Sequence, residues 1–148
     1  SFAFDRGEDG NQFKLDETMR SDALLIGRRT YDSFAGAWPE REGPFADKFN
    51  TMPKYVVSST VKDPAWANTT VIADDVAGRI AQLKEQDGAD LVQYGFGQLS
   101  FTLLEHGLLD ELRLWVYPLI VGSGGPGDLL YRDTTSLGGA LASQEKGR

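Results

Sequence analysis

Ala23-Leu24-Leu25-Ile26-Gly27-Arg28-Arg29-Thr30-Tyr31 is the stretch that decides the fold of this chain. A short apolar run, a glycine and a basic start to the next segment read as a buried strand, a tight turn and a helix N-terminus. Backbone N–H groups and the positive end of the helix dipole converge at such a point. With two guanidinium groups beside them, they have the makeup of an anion site. Arginines at a helix N-terminus oppose the dipole, so fold stability alone does not favour the pair. The plainer alternative is a turn glycine followed by two solvated arginines.

The same alternation continues outward from this motif. Helical spacing runs from Asp9 or Asn11, either of which can cap, to about Arg20. Further helices are expected over 28–34 and 45–50, after a cap at Asp74 or Asp75, and between Gly97 and Gly107. Strand character falls at residues 23–26, 54–58, 69–72 and 90–94. It returns in the alternating Leu112, Leu114 and Val116 before Pro118, and continues extended through 119–121 into the glycine-rich 122–127. Strands alternating with helices of about ten residues imply βαβ crossovers and a mainly parallel sheet covered on both faces, an α/β fold. Residues 138–148 carry no strand signal and read as a tail, leaving one domain over 1–137.

Composition removes whole classes of function. The 148 residues contain no cysteine and one histidine, so thiol catalysis, thiolate metal sites and multi-histidine metal sites are all excluded, and no metal is expected. A formal net charge of -7 argues against non-specific binding to nucleic acid or to anionic membranes. No apolar run approaches the roughly 20 residues of a membrane span, and none resembles a signal peptide. A reducing cytoplasm fits the absence of cysteine.

Two further strand ends have ligand-binding character. Ser58-Ser59-Thr60 follows the strand at 54–58 with hydroxyls suited to a phosphate or ribose, although such residues are also ordinary in loops. Gly95-Phe96-Gly97-Gln98 turns a strand into a helix, where glycines let backbone approach a pyrophosphate. The G-x-G-x-x-G fingerprint is not met, because position 100 is serine. All three segments sit at carboxyl ends of strands, where open α/β sheets bind ligands, and together they point to a phosphate-bearing nucleotide. His106, near a helix C-terminus, reads as a dipole partner rather than a catalyst. Asp5, Glu8, Asp9, Asp16 and Glu17 crowd the start and hold candidates for a proton donor or a substrate anchor. Trp38-Pro39 either walls a pocket or fills core, and the glycines of 122–127 form a lid or a plain loop.

The ordered set resembles the dihydrofolate reductase-like superfamily, in its bacterial branch related to the reductase domain of the riboflavin-biosynthesis deaminase/reductase. The matching residues are Gly27-Arg28-Arg29-Thr30-Tyr31, Tyr55-Val56-Val57-Ser58-Ser59-Thr60, Gly95-Phe96-Gly97-Gln98-Leu99, Leu103-Leu104-Glu105 and Asp110-Glu111-Leu112-Arg113-Leu114, with Pro118 and Gly122-Ser123-Gly124. The resemblance implies a three-layer αβα sandwich that binds NADPH along the sheet's carboxyl edge. Arg28 and Arg29 would meet the 2′-phosphate beside Ser58 and Ser59. Gly27, Thr30 and the run Gly95, Phe96, Gly97, Gln98 and Leu99 would hold the rest of the cofactor. The implied reaction is hydride transfer to a pterin- or pyrimidine-type substrate, such as a 5-amino-6-(5-phosphoribosylamino)uracil, with Asp9, Asn11 and Trp38 as substrate residues and no proton donor assigned.

Dihydrofolate reductases carry a carboxylate on the first helix, at a position that corresponds here to about Asn11. The resemblance also implies a central strand upstream of Ser1, a closing strand pair where 138–148 stand, and a homodimer. The competing reading is a nucleotide-binding or dimerisation module without catalysis.

Overall fold

A computed structural model describes residues 7–88 and 90–116. In chain order the elements are α1 (Gly7–Arg20), β1 (Ser21–Gly27), α2 (Arg28–Ala35), α3 (Pro44–Thr51), β2 (Lys54–Val57), β3 (Thr69–Ile72), α4 (Val76–Lys84), β4 (Asp90–Gln93) and α5 (Gln98–Glu105). Two compact units meet in sequence between Gly95 and Phe96. Among the described residues the first holds the four strands and helices α1 to α4, and the second holds α5.

The sheet has the order β3-β2-β1-β4, and every pairing is parallel, so the α/β class read from the sequence is the class observed. β1 is the inner strand with the strongest burial: Leu24, Leu25 and Ile26 are 0%, 2% and 0% exposed. A strand buried on both faces is read as a continuous apolar run, which is why 23–26 shows no alternation. Leu24 and Ile26 share one face with Val56 of β2. There they join Tyr31, Phe49, Met52 and Trp66 in the core. Phe34, Phe45, Phe49 and Trp38 form an aromatic layer over it, with ring centroids 4.7 to 6.0 Å apart.

Three local expectations change. α1 begins at Gly7, so Asp9 and Asn11 lie inside it rather than capping it; Glu8 and Asp9 sit in the first turn, where the dipole favours carboxylates. Asp75 precedes α4, but its backbone is left-handed at φ 40 and its side chain makes no capping bond. Residues 112–116 form no strand, and Leu114 and Val116 are 57% and 89% exposed. Alternating apolar residues supply only the period of a strand, which also needs a ladder partner. The segments 119–121 and 122–127, the tail 138–148 and Asp5 lie outside the described residues. Among the described residues β1 pairs directly with both β2 and β4, and β3 and β4 are the outer strands.

Lys54 opens β2 and is fully buried. Its ammonium donates to the carbonyls of Met52 at 2.7 Å and Asn50 at 3.2 Å, at the C-terminal end of α3, and lies 4.6 Å from the Trp66 ring centroid. Removal from water pushes its pKa down from 10.5 to about 8. The unfolded chain therefore binds more protons than the folded one between about pH 8 and pH 10.5. Stability from this group is fully present above the upper value and is lost as pH falls through the lower. Over that window the stability of the wild type minus that of Lys54→Met should rise with pH by up to about 3 kcal/mol, as read by urea unfolding. A flat difference would show that the ammonium is not desolvated.

Candidate functional site

The parallel registers Gly27↔Val57 and Leu25↔Gln93 set the carboxyl ends of β2, β1 and β4 side by side. Ser58 and Ser59, the Arg28-Arg29-Thr30 helix start and Gly95 thus share one edge of the first unit. Gly27 is extended, with φ -79 and ψ 165, and gives way at once to α2. No side chain caps this helix and no acidic residue occupies its first turn, so its leading N–H groups and dipole are open to an anion. Gly95 has φ +83, a left-handed conformation that glycine adopts without strain. A Cβ built there would lie 3.5 Å from Thr30 Oγ1, so β4 ends directly against the start of α2.

Within this edge the structure separates residues that the sequence treats as pairs. Arg28 Nε lies 3.4 Å from Asp32 Oδ2, in an exposed i,i+4 ion pair. Arg29 is exposed and has no partner among the described residues. Ser58 is buried, and its Oγ accepts the N–H groups of Thr60 at 3.1 Å and Val61 at 3.2 Å. That hydroxyl holds the loop after β2. Ser59 is exposed and unpartnered among the described residues, which leaves it as the hydroxyl available to a ligand.

In the second unit, Gly97 is the extended residue before α5, and its N–H donates to Ser100 Oγ at 3.3 Å. Phe96 packs edge-on against Phe101, with centroids 5.0 Å apart. Gln98 is exposed, whereas the Leu99 side chain is buried. Leu99 thus has backbone rather than side chain to present. His106 ends the helix with Nδ1 2.9 Å from the Thr102 carbonyl oxygen, the terminal position expected of it.

An open cleft of about 360 Å³ lies between α1 and α3, lined by Glu8, Asn11, Gln12, Leu15, Pro44 and Phe45. Of the three candidate substrate residues, Asn11 lines it and Asp9 does not. Trp38 stands behind it, stacked on Phe45 at 5.5 Å and 15°, so it both fills core and supports a wall. The carboxylate that α1 buries is Glu17, which accepts from Lys14 Nζ at 2.9 Å and from the Tyr94 hydroxyl at 3.3 Å. Helical spacing groups Lys14, Glu17 and Thr18, but no local pattern brings in Tyr94 from 77 residues away. Among the described residues no His, Asp and Glu cluster can hold a metal, and no helix is long and apolar enough to cross a membrane.

The RibD C-terminal domain family model matches residues 5–134. The uncharacterized protein YyaP of Bacillus subtilis (strain 168) is 31% identical over 110 residues, which are 71% of this chain and 58% of that protein. The chain therefore spans less than two thirds of that relative's length. It belongs to the RibD C-terminal domain family, the reductase domain of riboflavin-biosynthesis deaminase/reductase, with a dihydrofolate reductase-like α/β fold.

The unequal serines give a direct check. Ser58→Ala strands two loop amides and should cost about 1–3 kcal/mol. Ser59→Ala should change stability by less than about 0.5 kcal/mol. Thermal unfolding of the two variants reads the difference, and equal losses would contradict the division of roles.

Proposed function

We propose that this RibD C-terminal domain protein is an NADPH-dependent reductase that delivers hydride to a C=N or C=O carbon of a pterin- or pyrimidine-like compound. The observation that carries the reading is Arg29, an exposed and unpartnered guanidinium on an uncapped helix start. It sits directly beyond the most buried strand of a parallel sheet. Dinucleotide phosphates suit that position on physical grounds.

The residues fit the cofactor's charged parts. In this reading Arg29 holds the 2′-phosphate, Ser59 adds a hydrogen bond, and Arg28 joins by exchanging Asp32 for the phosphate. The leading amides of α2 and the Thr30 hydroxyl bind pyrophosphate oxygens, and Gly95 leaves room for them. When bound, NADPH supplies the hydride.

The cleft takes the acceptor ring. Phe45 offers it a face, and the Asn11 amide offers both a donor and an acceptor to a pyrimidine edge. Leu15 and Pro44 offer it apolar contact. Asn11 in place of a carboxylate disfavours dihydrofolate itself as the substrate. A homodimer resident in the cytoplasm completes the proposal, and light scattering at micromolar concentration would overturn the dimer by finding a monomer.

Arg29→Ala should weaken NADPH by roughly 10- to 150-fold, the consequence of about 1.5–3 kcal/mol for a lost charged hydrogen bond, and leave NADH unchanged. Arg28→Ala should cost less, because Asp32 already engages that side chain. Fluorescence titration reads both. Equal wild-type affinity for NADPH and NADH would sink the reading of the arginines. NADPH binding with no turnover of any pterin or pyrimidine acceptor would favour a nucleotide-binding module instead.

A further inference from the structure

Helix α1 carries part of the cleft wall at Asn11 and Leu15, and on an adjoining face it holds Lys14, Glu17 and Thr18. Thr18 is fully buried and Glu17 is 8% exposed. The Thr18 hydroxyl donates to the Lys14 carbonyl at 2.9 Å. Its only proton is therefore committed, so the one Tyr94 proton is shared between two acceptors, Thr18 Oγ1 at 2.8 Å and a Glu17 oxygen. The same phenol reaches Glu17 Oε2 at 3.3 Å. Lys14 Nζ donates to that oxygen at 2.9 Å and lies 3.8 Å from the Tyr94 ring centroid. The ring itself packs against Phe34 of α2 and Phe49 of α3, at 6.4 and 5.7 Å.

Setting a half-buried ammonium and phenol against a buried carboxylate costs desolvation that apolar packing would avoid. What a satisfied polar network supplies in exchange is a fixed geometry. Here the fixed residue is the one before Gly95, whose left-handed backbone lies against Thr30 at the start of α2. An unbroken line of contacts thus runs from the cleft helix, through the Tyr94 hydroxyl, to the phosphate edge.

We propose that Tyr94 is a positioning residue that ties the cleft helix to the cofactor edge, so that a pyrimidine-like ring in the cleft and NADPH at α2 bind with positive coupling. The proposal rests on the reductase reading above. A ring wedged between α1 and α3 fixes α1, α1 holds the Tyr94 hydroxyl, and Tyr94 fixes Gly95. The ordering of that line is completed by whichever ligand arrives first, and the second finds it done.

The test uses the full chain, NADPH, and 5,6-diaminouracil as the ring probe, with tryptophan-to-NADPH energy transfer as the readout. In the wild type, saturating probe should tighten NADPH by about 5-fold or more. Tyr94→Phe keeps the ring and removes the hydroxyl. It should bring that ratio below about 2-fold while NADPH affinity without probe stays within about 3-fold of wild type. Thr18→Val removes the acceptor from the other side and should give the same loss, and the double variant should lose nothing more.

A purely structural network would lower the stability of both variants and leave the ratio intact, and that result would overturn the proposal. So would a wild type that binds both ligands independently, or one that binds NADPH but not the probe. A wild type that binds no NADPH would overturn the reductase reading instead.

Discussion

The structure depends on the placement of β1 between two parallel neighbours. Its three central side chains are sealed from water on both faces, and its register with β2 and β4 is fixed by that burial. A slip of one residue would turn Leu24 and Ile26 away from the aromatic layer, so the hydrophobic term holds the register firmly. Because all three strands run the same way, one register sets three strand ends at once. The polar residues of the edge are brought together by the burial of apolar residues within the strands.

Charge then distinguishes among the residues at that edge. The chain is acidic overall, with a formal charge of -7, yet it keeps an unpaired guanidinium on an open helix start. A local positive site on an acidic surface selects a compact anion over a long polyanion, because the surrounding field repels the rest of a polymer. The buried Lys54 and the half-buried Lys14 behave differently. Lys54 has carbonyls and a ring for company, whereas Lys14 is matched to Glu17 beside a phenol. The first fastens the end of a helix to the start of a strand, and the second joins a helix to the residue before Gly95.

Most of the fold was legible because its elements announce themselves locally. The run at 69–72 coincides with β3, and the apolar spacing of Val76, Ile80 and Leu83 falls within α4. Gly27 followed by two arginines located the start of α2 to the residue. The alternation at 112–116 misled, since period alone says nothing about a ladder partner.

The candidate site was legible only in part. Position along the strand ends could be read, but the division of labour could not. Ser58 and Ser59 look alike until two loop amides are seen to converge on one of them. Arg28 and Arg29 look alike until Asp32 is seen to engage the first. Tyr94 carries no local signal, because its hydroxyl meets Thr18 and Glu17 on a helix 76 and 77 residues earlier.

The most direct test of the shared edge is a backbone amide map of the isotope-labelled protein titrated with NADPH. The strand registers predict that the largest shifts fall on Arg28, Arg29, Thr30, Ser59 and Gly95, residues far apart in sequence and aligned by the pairing of β1 with β2 and β4. Saturable shifts concentrated elsewhere, or at only one of these three strand ends, would contradict a site assembled by the parallel sheet.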